Sequence, residues 1–203
     1  MDAAHSSHAF GHSVSVEEHN YRLKFGWWLY IASEVMLFAT LIGVFIIAKR
    51  LYPEQNELLR EPLPLIGIPL TAIGTFVLLM SSWTIVRALD SIMQGDQVAL
   101  ARGLFMTLVF GAFFVLMQVY EYSHLSHQGL TLHSSMFGSA FYLVTGFHGA
   151  HVFGGVLWIA WAFRKAMNGH FTKENYIGIE LLGLYWHFVD VVWIVLFTLI
   201  YLM

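Results

Sequence analysis

Five apolar segments, near residues 25–48, 65–88, 99–122, 134–163 and 176–203, dominate this 203-residue chain. Each can cross about 30 Å of hydrocarbon at about 1.5 Å per residue, the fourth with tilt or overhang. Lipid offers the backbone no hydrogen-bond partner, so such runs must satisfy their own amides. The expectation is an all-α, polytopic membrane protein built as a bundle of five transmembrane helices. The charged fraction agrees, since it is 11% where a soluble domain carries roughly a quarter. The first run lies behind a polar tail and is too long for a signal-peptide core, so it reads as a retained span.

Two regions follow from this division. Residues 1–24 form a polar tail containing His5, His8, His12 and His19, and residues 25–203 form the membrane domain. The linker 49–64 contains Pro53, Pro62 and Pro64 and reads as an extended interfacial loop. The other connections are short, which makes neighbouring helices antiparallel. With five spans, Arg22, Lys24, Arg87, Arg102, Arg164, Lys165 and Lys173 share one side of the membrane. The other side holds Lys49, Arg50 and Arg60. Seven against three places the N-terminus in the cytoplasm and the C-terminus outside.

Several chemistries are excluded or unsupported. No cysteine is present, so there are no disulfides and no thiolate sites. A formal charge of −3 does not suit a nucleic-acid partner. No glycine-rich loop opens a helix for a nucleotide, and no nucleophile stands beside a base.

Ionisable residues inside the spans carry the remaining information. His187 and Asp190 sit one turn apart in the last segment, within Tyr185-Trp186-His187-Phe188-Val189-Asp190-Val191-Val192-Trp193. An Asp at the centre of a span costs roughly 2.5–3.5 kcal/mol on insertion scales, so it needs a partner or a purpose. Glu34 lies nine residues into the first span, and His148 and His151 lie near the middle of the fourth. The depths match, which predicts one buried polar layer of Glu34, His148, His151, His187 and Asp190. Gly146, Ala150 and Gly154, with Gly149 and Gly155 beside them, predict close helix approach along the fourth span. The layer reads first as interhelical hydrogen bonding, then as proton handling or headgroup binding, and least as metal or haem ligation. His124, His127 and His133 read as interfacial loop residues, and Glu121, between Tyr120 and Tyr122, as part of an outer aromatic belt. No metal or catalytic set is expected. A small proton-coupled transporter is the alternative class, against which the missing internal repeat counts.

These residues also carry a resemblance. Ile31-Ala32-Ser33-Glu34-Val35, Thr145-Gly146-Phe147-His148-Gly149-Ala150-His151-Val152 and the closing Tyr185–Trp193 stretch resemble subunit III of the haem-copper terminal oxidases. Gln118-Val119-Tyr120-Glu121-Tyr122 and Gly138-Ser139-Ala140-Phe141-Tyr142 add weaker matches, in family order, over residues 26 to 203. The resemblance implies a subunit with no cofactor of its own, packed mainly against catalytic subunit I, with subunit II and small subunits nearby. Haem and copper belong to those partner subunits. It implies a role in stability and proton uptake during oxygen reduction and proton pumping, with bound phospholipid, in a bacterial plasma membrane and within reach of a respiratory supercomplex. Glu34 corresponds to the family's carbodiimide-reactive carboxylate, and Arg164 and His170 to basic headgroup contacts. The chain resembles the short five-helix form, without the two N-terminal helices that wall a lipid cleft in larger members. An aa3-like cytochrome c oxidase is the expected complex, and a quinol oxidase the alternative.

Overall fold

The computed structural model describes residues 15–54 and 68–203, which fold into five long helices without strands. They are α1 (Val16–Leu51), α2 (Ile68–Gln94), α3 (Gln97–His127), α4 (Met136–Met167) and α5 (Ile177–Phe197). A π-helical turn, Thr198–Leu202, ends α5. All five are long and apolar enough to cross a membrane. The tail histidines His5, His8 and His12, with Arg60, Pro62 and Pro64 of the linker, lie outside the described residues.

The helix ends follow local chemistry. Ser15 caps α1 by accepting from the Glu18 amide at 3.2 Å, with Glu17 and Glu18 facing the positive end of the helix dipole. The helix therefore starts within the expected polar tail, carrying His19 and Arg22 outside the apolar run. Its far end passes through Lys49 and Arg50, and helical backbone resumes at Pro53, so this part of the linker is not extended. Asp96 caps α3 through the Ala99 amide at 2.9 Å, after Gly95 turns the chain at φ +88°. That left-handed position suits glycine and allows a two-residue connection. α3 also runs further than expected. His124 and His127 lie in its last turns, and of the three histidines assigned to this connection only His133 is in the loop.

α5 is the most buried span and the centre of the bundle. It packs against α1, α2 and α4, while α2–α3 and α3–α4 form the adjoining antiparallel pairs. Both ends of the α1–α5 seam are tied, by Lys24 to Glu180 at 2.7 Å and by the Lys49 ammonium to the Leu199 carbonyl at 2.7 Å. The tight approach in α4 falls on other glycines than the expected ladder. A Cβ on Gly155 would lie 2.6 Å from the Trp186 ring, and one on Gly149 2.6 Å from the Gln118 amide oxygen. Gly146 and Gly154 have nothing nearer than 3.8 and 3.9 Å. Gly111 of α3 faces Trp186 from the other side, at 2.8 Å for an added Cβ. Trp186 thus fills the space that two glycines leave between three helices.

Candidate functional site

The ionisable residues singled out in the sequence form three separate stations rather than one layer. At the first, α1 and α4 bring Glu34 Oε2 to 3.2 Å from His151 Nε2. His151 Nδ1 lies 2.7 Å from the Phe147 carbonyl, which can only accept, so Nδ1 carries a proton. The Nε2–Oε2 contact then holds one further proton, either on the imidazole or on the carboxyl. Phe38 packs edge-on to the ring, and the Tyr185 hydroxyl donates to the His151 carbonyl at 2.9 Å. The pair is not sealed: the side chains keep 15% (Glu34) and 17% (His151) of their surface.

His148 forms the second station alone. It is fully buried, stacked on Trp193 at 4.8 Å and edge-on to Phe114 at 5.9 Å. Neither ring nitrogen has a hydrogen-bond partner. The third station joins α5 to α2. Ser82 lies 3.0 Å from His187 Nδ1 and donates a hydrogen bond to Asp190 Oδ2. With its one hydrogen on the carboxylate, Ser82 can only accept from the imidazole, so the proton order runs His187 to Ser82 to Asp190. Glu34 is thus paired with His151 and not with His148, and Asp190 is tied to α2.

Two buried polar clusters were not anticipated. Glu121 is not an exposed belt residue: it is 4% exposed, and its Oε1 accepts from Tyr201 at 2.7 Å and Thr71 at 3.2 Å. Gln118, also buried, donates to the Thr145 carbonyl at 2.9 Å and the Tyr122 hydroxyl at 3.1 Å. Tyr122 in turn donates to Thr145 Oγ1 at 2.7 Å. Further hydroxyls along α2 serve the same purpose. Ser81 accepts from the Trp186 indole at 2.7 Å, Thr75 from the Trp193 indole at 2.9 Å, and Thr84 meets Thr107 at 2.8 Å. The sequence signal was a row of hydroxyl residues on α2, which looks unremarkable until its indole partners are known.

Arg164 in the last turn of α4 and His170 in the loop after it are both exposed, at the end of the bundle where α1 begins. Among the described residues, no three His, Asp or Glu side chains group to hold a metal ion. His148 is closed off by two aromatic rings, and His151 and His187 are held by different helices.

The profile described as cytochrome c oxidase subunit III matches residues 2–203. The chain belongs to that family. It is 39% identical over 178 residues to a probable cytochrome c oxidase subunit 3 of Nocardia farcinica, covering 85% of this chain and 84% of that protein. The quinol oxidase subunit 3 of Bacillus subtilis is 36% identical over 180 residues, covering 88% and 85%. The cytochrome c oxidase subunit 3 of Anopheles gambiae is 35% identical over 184 residues, covering 88% and 68%. As a subunit III of the haem-copper oxidases, the chain is part of a multi-subunit oxidoreductase complex. Its five spans and bacterial relatives make it a multi-pass plasma-membrane protein.

Proposed function

We propose that the chain is the non-catalytic subunit III of an aa3-like cytochrome c oxidase, supporting the stability and proton uptake of catalytic subunit I. The observation that carries this reading is the Glu34–His151 pair. It lies mid-span on the α1–α4 seam and keeps 15% and 17% of its side-chain surface open. An ionisable pair left against hydrocarbon is costly, so that surface calls for cover by protein or by water held at an interface. A face packed on subunit I, with subunit II and small subunits alongside, supplies the cover. Such a face also gives Glu34 a route for exchanging its proton with the neighbouring subunit.

The dispersed histidines favour haem and copper in the partner subunits, with none in this chain. The topology gathers seven Lys and Arg residues at the end where α1 begins, which favours a cytoplasmic N-terminus and an external C-terminus. Arg164 and His170, exposed at that same end, suit phospholipid headgroups, and the same complex could join a respiratory supercomplex. The equivalent place in a quinol oxidase is the second reading, supported by the likeness to the Bacillus subunit.

Mild detergent extraction of the native complex, followed by subunit identification, an absorption spectrum and donor assays, tests the proposal. Stoichiometric recovery with larger haem-bearing subunits that oxidise cytochrome c is the expected result. Oxidation of quinol instead would select the second reading, and purification of the chain alone, without haem partners, would overturn both.

A further inference from the structure

A pocket of about 200 Å³ opens between α2 and α3, on the outer surface of the bundle. Its walls include Trp83, Arg87 and Ser91 from α2, and Arg102, Gly103 and Met106 from α3. Trp83, Arg87 and Ser91 recur every four residues, and Arg102 and Met106 are four apart, so each set lies on one helix face. The helices touch at this level: a Cβ on Gly103 would lie 2.7 Å from that of Ala88. The pocket floor is therefore closed, while Trp83 and Met106 at its rim are exposed.

Two arginines line it, and no carboxylate does. Arg87 lies 5.7 Å from the Trp83 ring centroid, and neither Arg87 nor Arg102 takes part in an ion pair among the described residues. The acids of the adjoining hairpin are engaged elsewhere. Asp90 accepts from Gln94 at 2.9 Å, and Asp96 caps α3. Arg87 precedes the end of α2 by about 10 Å and Arg102 follows the start of α3 by about 8 Å, so they sit at one depth below the turn. Trp83 and Met106 lie about one turn deeper, toward the hydrocarbon. The pocket thus runs from two arginines nearer the helix turn to aromatic and thioether surface one turn further from it.

We propose that this pocket is a binding site for the phosphate of an anionic phospholipid, held by Arg87 and Arg102 with an acyl chain laid along Trp83 and Met106. Guanidinium groups match phosphate oxygens in planar, two-pronged geometry. The volume equals that of about six or seven waters in the liquid, room for a phosphodiester but not for a whole lipid. The chains would lie outside it, along the exposed surfaces of Trp83 and Met106. The site is separate from Arg164 and His170, which stand on α4 and the loop after it. It needs only the membrane placement of the bundle and holds whichever electron donor the complex uses.

The test is native mass spectrometry of the purified full chain, titrated with dioleoyl phosphatidylglycerol, dioleoyl phosphatidylcholine or inorganic phosphate. Wild-type chain should retain one phosphatidylglycerol in preference to phosphatidylcholine. Arg87→Gln and Arg102→Gln should each weaken it about fivefold, and together remove the preference. Arg87→Lys with Arg102→Lys should restore only part of it. Arg22→Gln, a surface arginine paired with Glu18, should leave it unchanged, and the Arg102→Gln variant keeps the test open should the double variant fold poorly. Equal losses in Arg22→Gln would reduce the effect to diffuse charge and overturn the site. Displacement of the lipid by millimolar inorganic phosphate would reassign the pocket to a soluble phosphate and overturn the lipid assignment. Crosslinking of position 102 to a neighbouring subunit, in a native complex that retains no such lipid, would give the pocket to a protein partner and also overturn it.

Discussion

Adjacent glycines in α4 should respond to the same substitution in opposite ways. An alanine methyl at Gly155 would lie 2.6 Å from Trp186 Cζ3, 2.8 Å from Cε3 and 3.1 Å from Tyr185 Cε1. Carbon atoms pack at about 3.5–4.0 Å, so the closest contact falls short by about 1 Å. Trp186 cannot withdraw easily. It is fully buried, its indole nitrogen is held by Ser81 at 2.7 Å, and Gly111 is already at its far edge. Overpacking of this kind costs about 1–3 kcal/mol, against a helix-propensity gain of up to about 1 kcal/mol. The expected net effect of Gly155→Ala is destabilisation by about 1–2 kcal/mol. Gly154→Ala has only the Tyr185 hydroxyl, at 3.9 Å, near its new methyl. It should be neutral or slightly stabilising. Reversible unfolding of the purified chain in mixed micelles, followed by the near-ultraviolet tryptophan signal, measures both. A second variant, Trp186→Phe on the Gly155→Ala background, should recover part of the loss by shortening the ring. Equal stability of the two single alanine variants would refute the claim that Trp186 is wedged between α3 and α4.

Three other perturbations probe the buried polar groups by the same unfolding measurement. Tyr201→Phe removes one of the two hydroxyls on the Glu121 carboxyl and should cost about 1–3 kcal/mol, so wild-type stability would contradict a firm anchor for the terminal turn. Ser82→Ala severs the link between His187 and Asp190 and should cost a similar amount, about 1–3 kcal/mol, whereas Ser33→Ala on exposed α1 surface should cost almost nothing. In double-mutant cycles, Glu34→Gln with His151→Gln should couple by more than about 0.5 kcal/mol, and Glu34→Gln with His148→Gln should be additive. Coupling confined to His148 would contradict the observed pairing.

Much of this architecture could be read from the chain because unbroken apolar runs leave a membrane protein few options. Partner choice was harder, for a geometric reason. Residues three apart on a helix differ by about 60° around its axis, so His148 and His151 share a broad face but not a neighbour. That angle turns His151 to α1 and Glu34, and His148 to Trp193 and Phe114. Depth alone therefore suggested a layer, while rotation split it into stations. Glu121 was misread because it stands near the end of an apolar run, where exposure is the usual reading. What buries it is Tyr201, eighty residues on, whose approach depends on how α5 ends. The start of α1 is legible in the chain: Ser15-Val16-Glu17-Glu18 is a serine followed three residues later by glutamate, the pattern of a helix cap. The close glycines could not be told from the loose ones, since Gly149, Gly154 and Gly155 differ only in what faces them.

On the proposed reading, the partly open Glu34–His151 seam packs against a haem-bearing subunit. A photoreactive amino acid at Leu37 or Phe147, exposed residues within one turn of the pair, tests it in the intact membrane. A stoichiometric crosslink to the largest haem-bearing subunit is expected from either position, and none from Val119 on the α3 surface. Crosslinks from Leu37 and Phe147 to lipid alone, with Val119 capturing the haem subunit, would place the interface on the other side of the bundle and contradict the account.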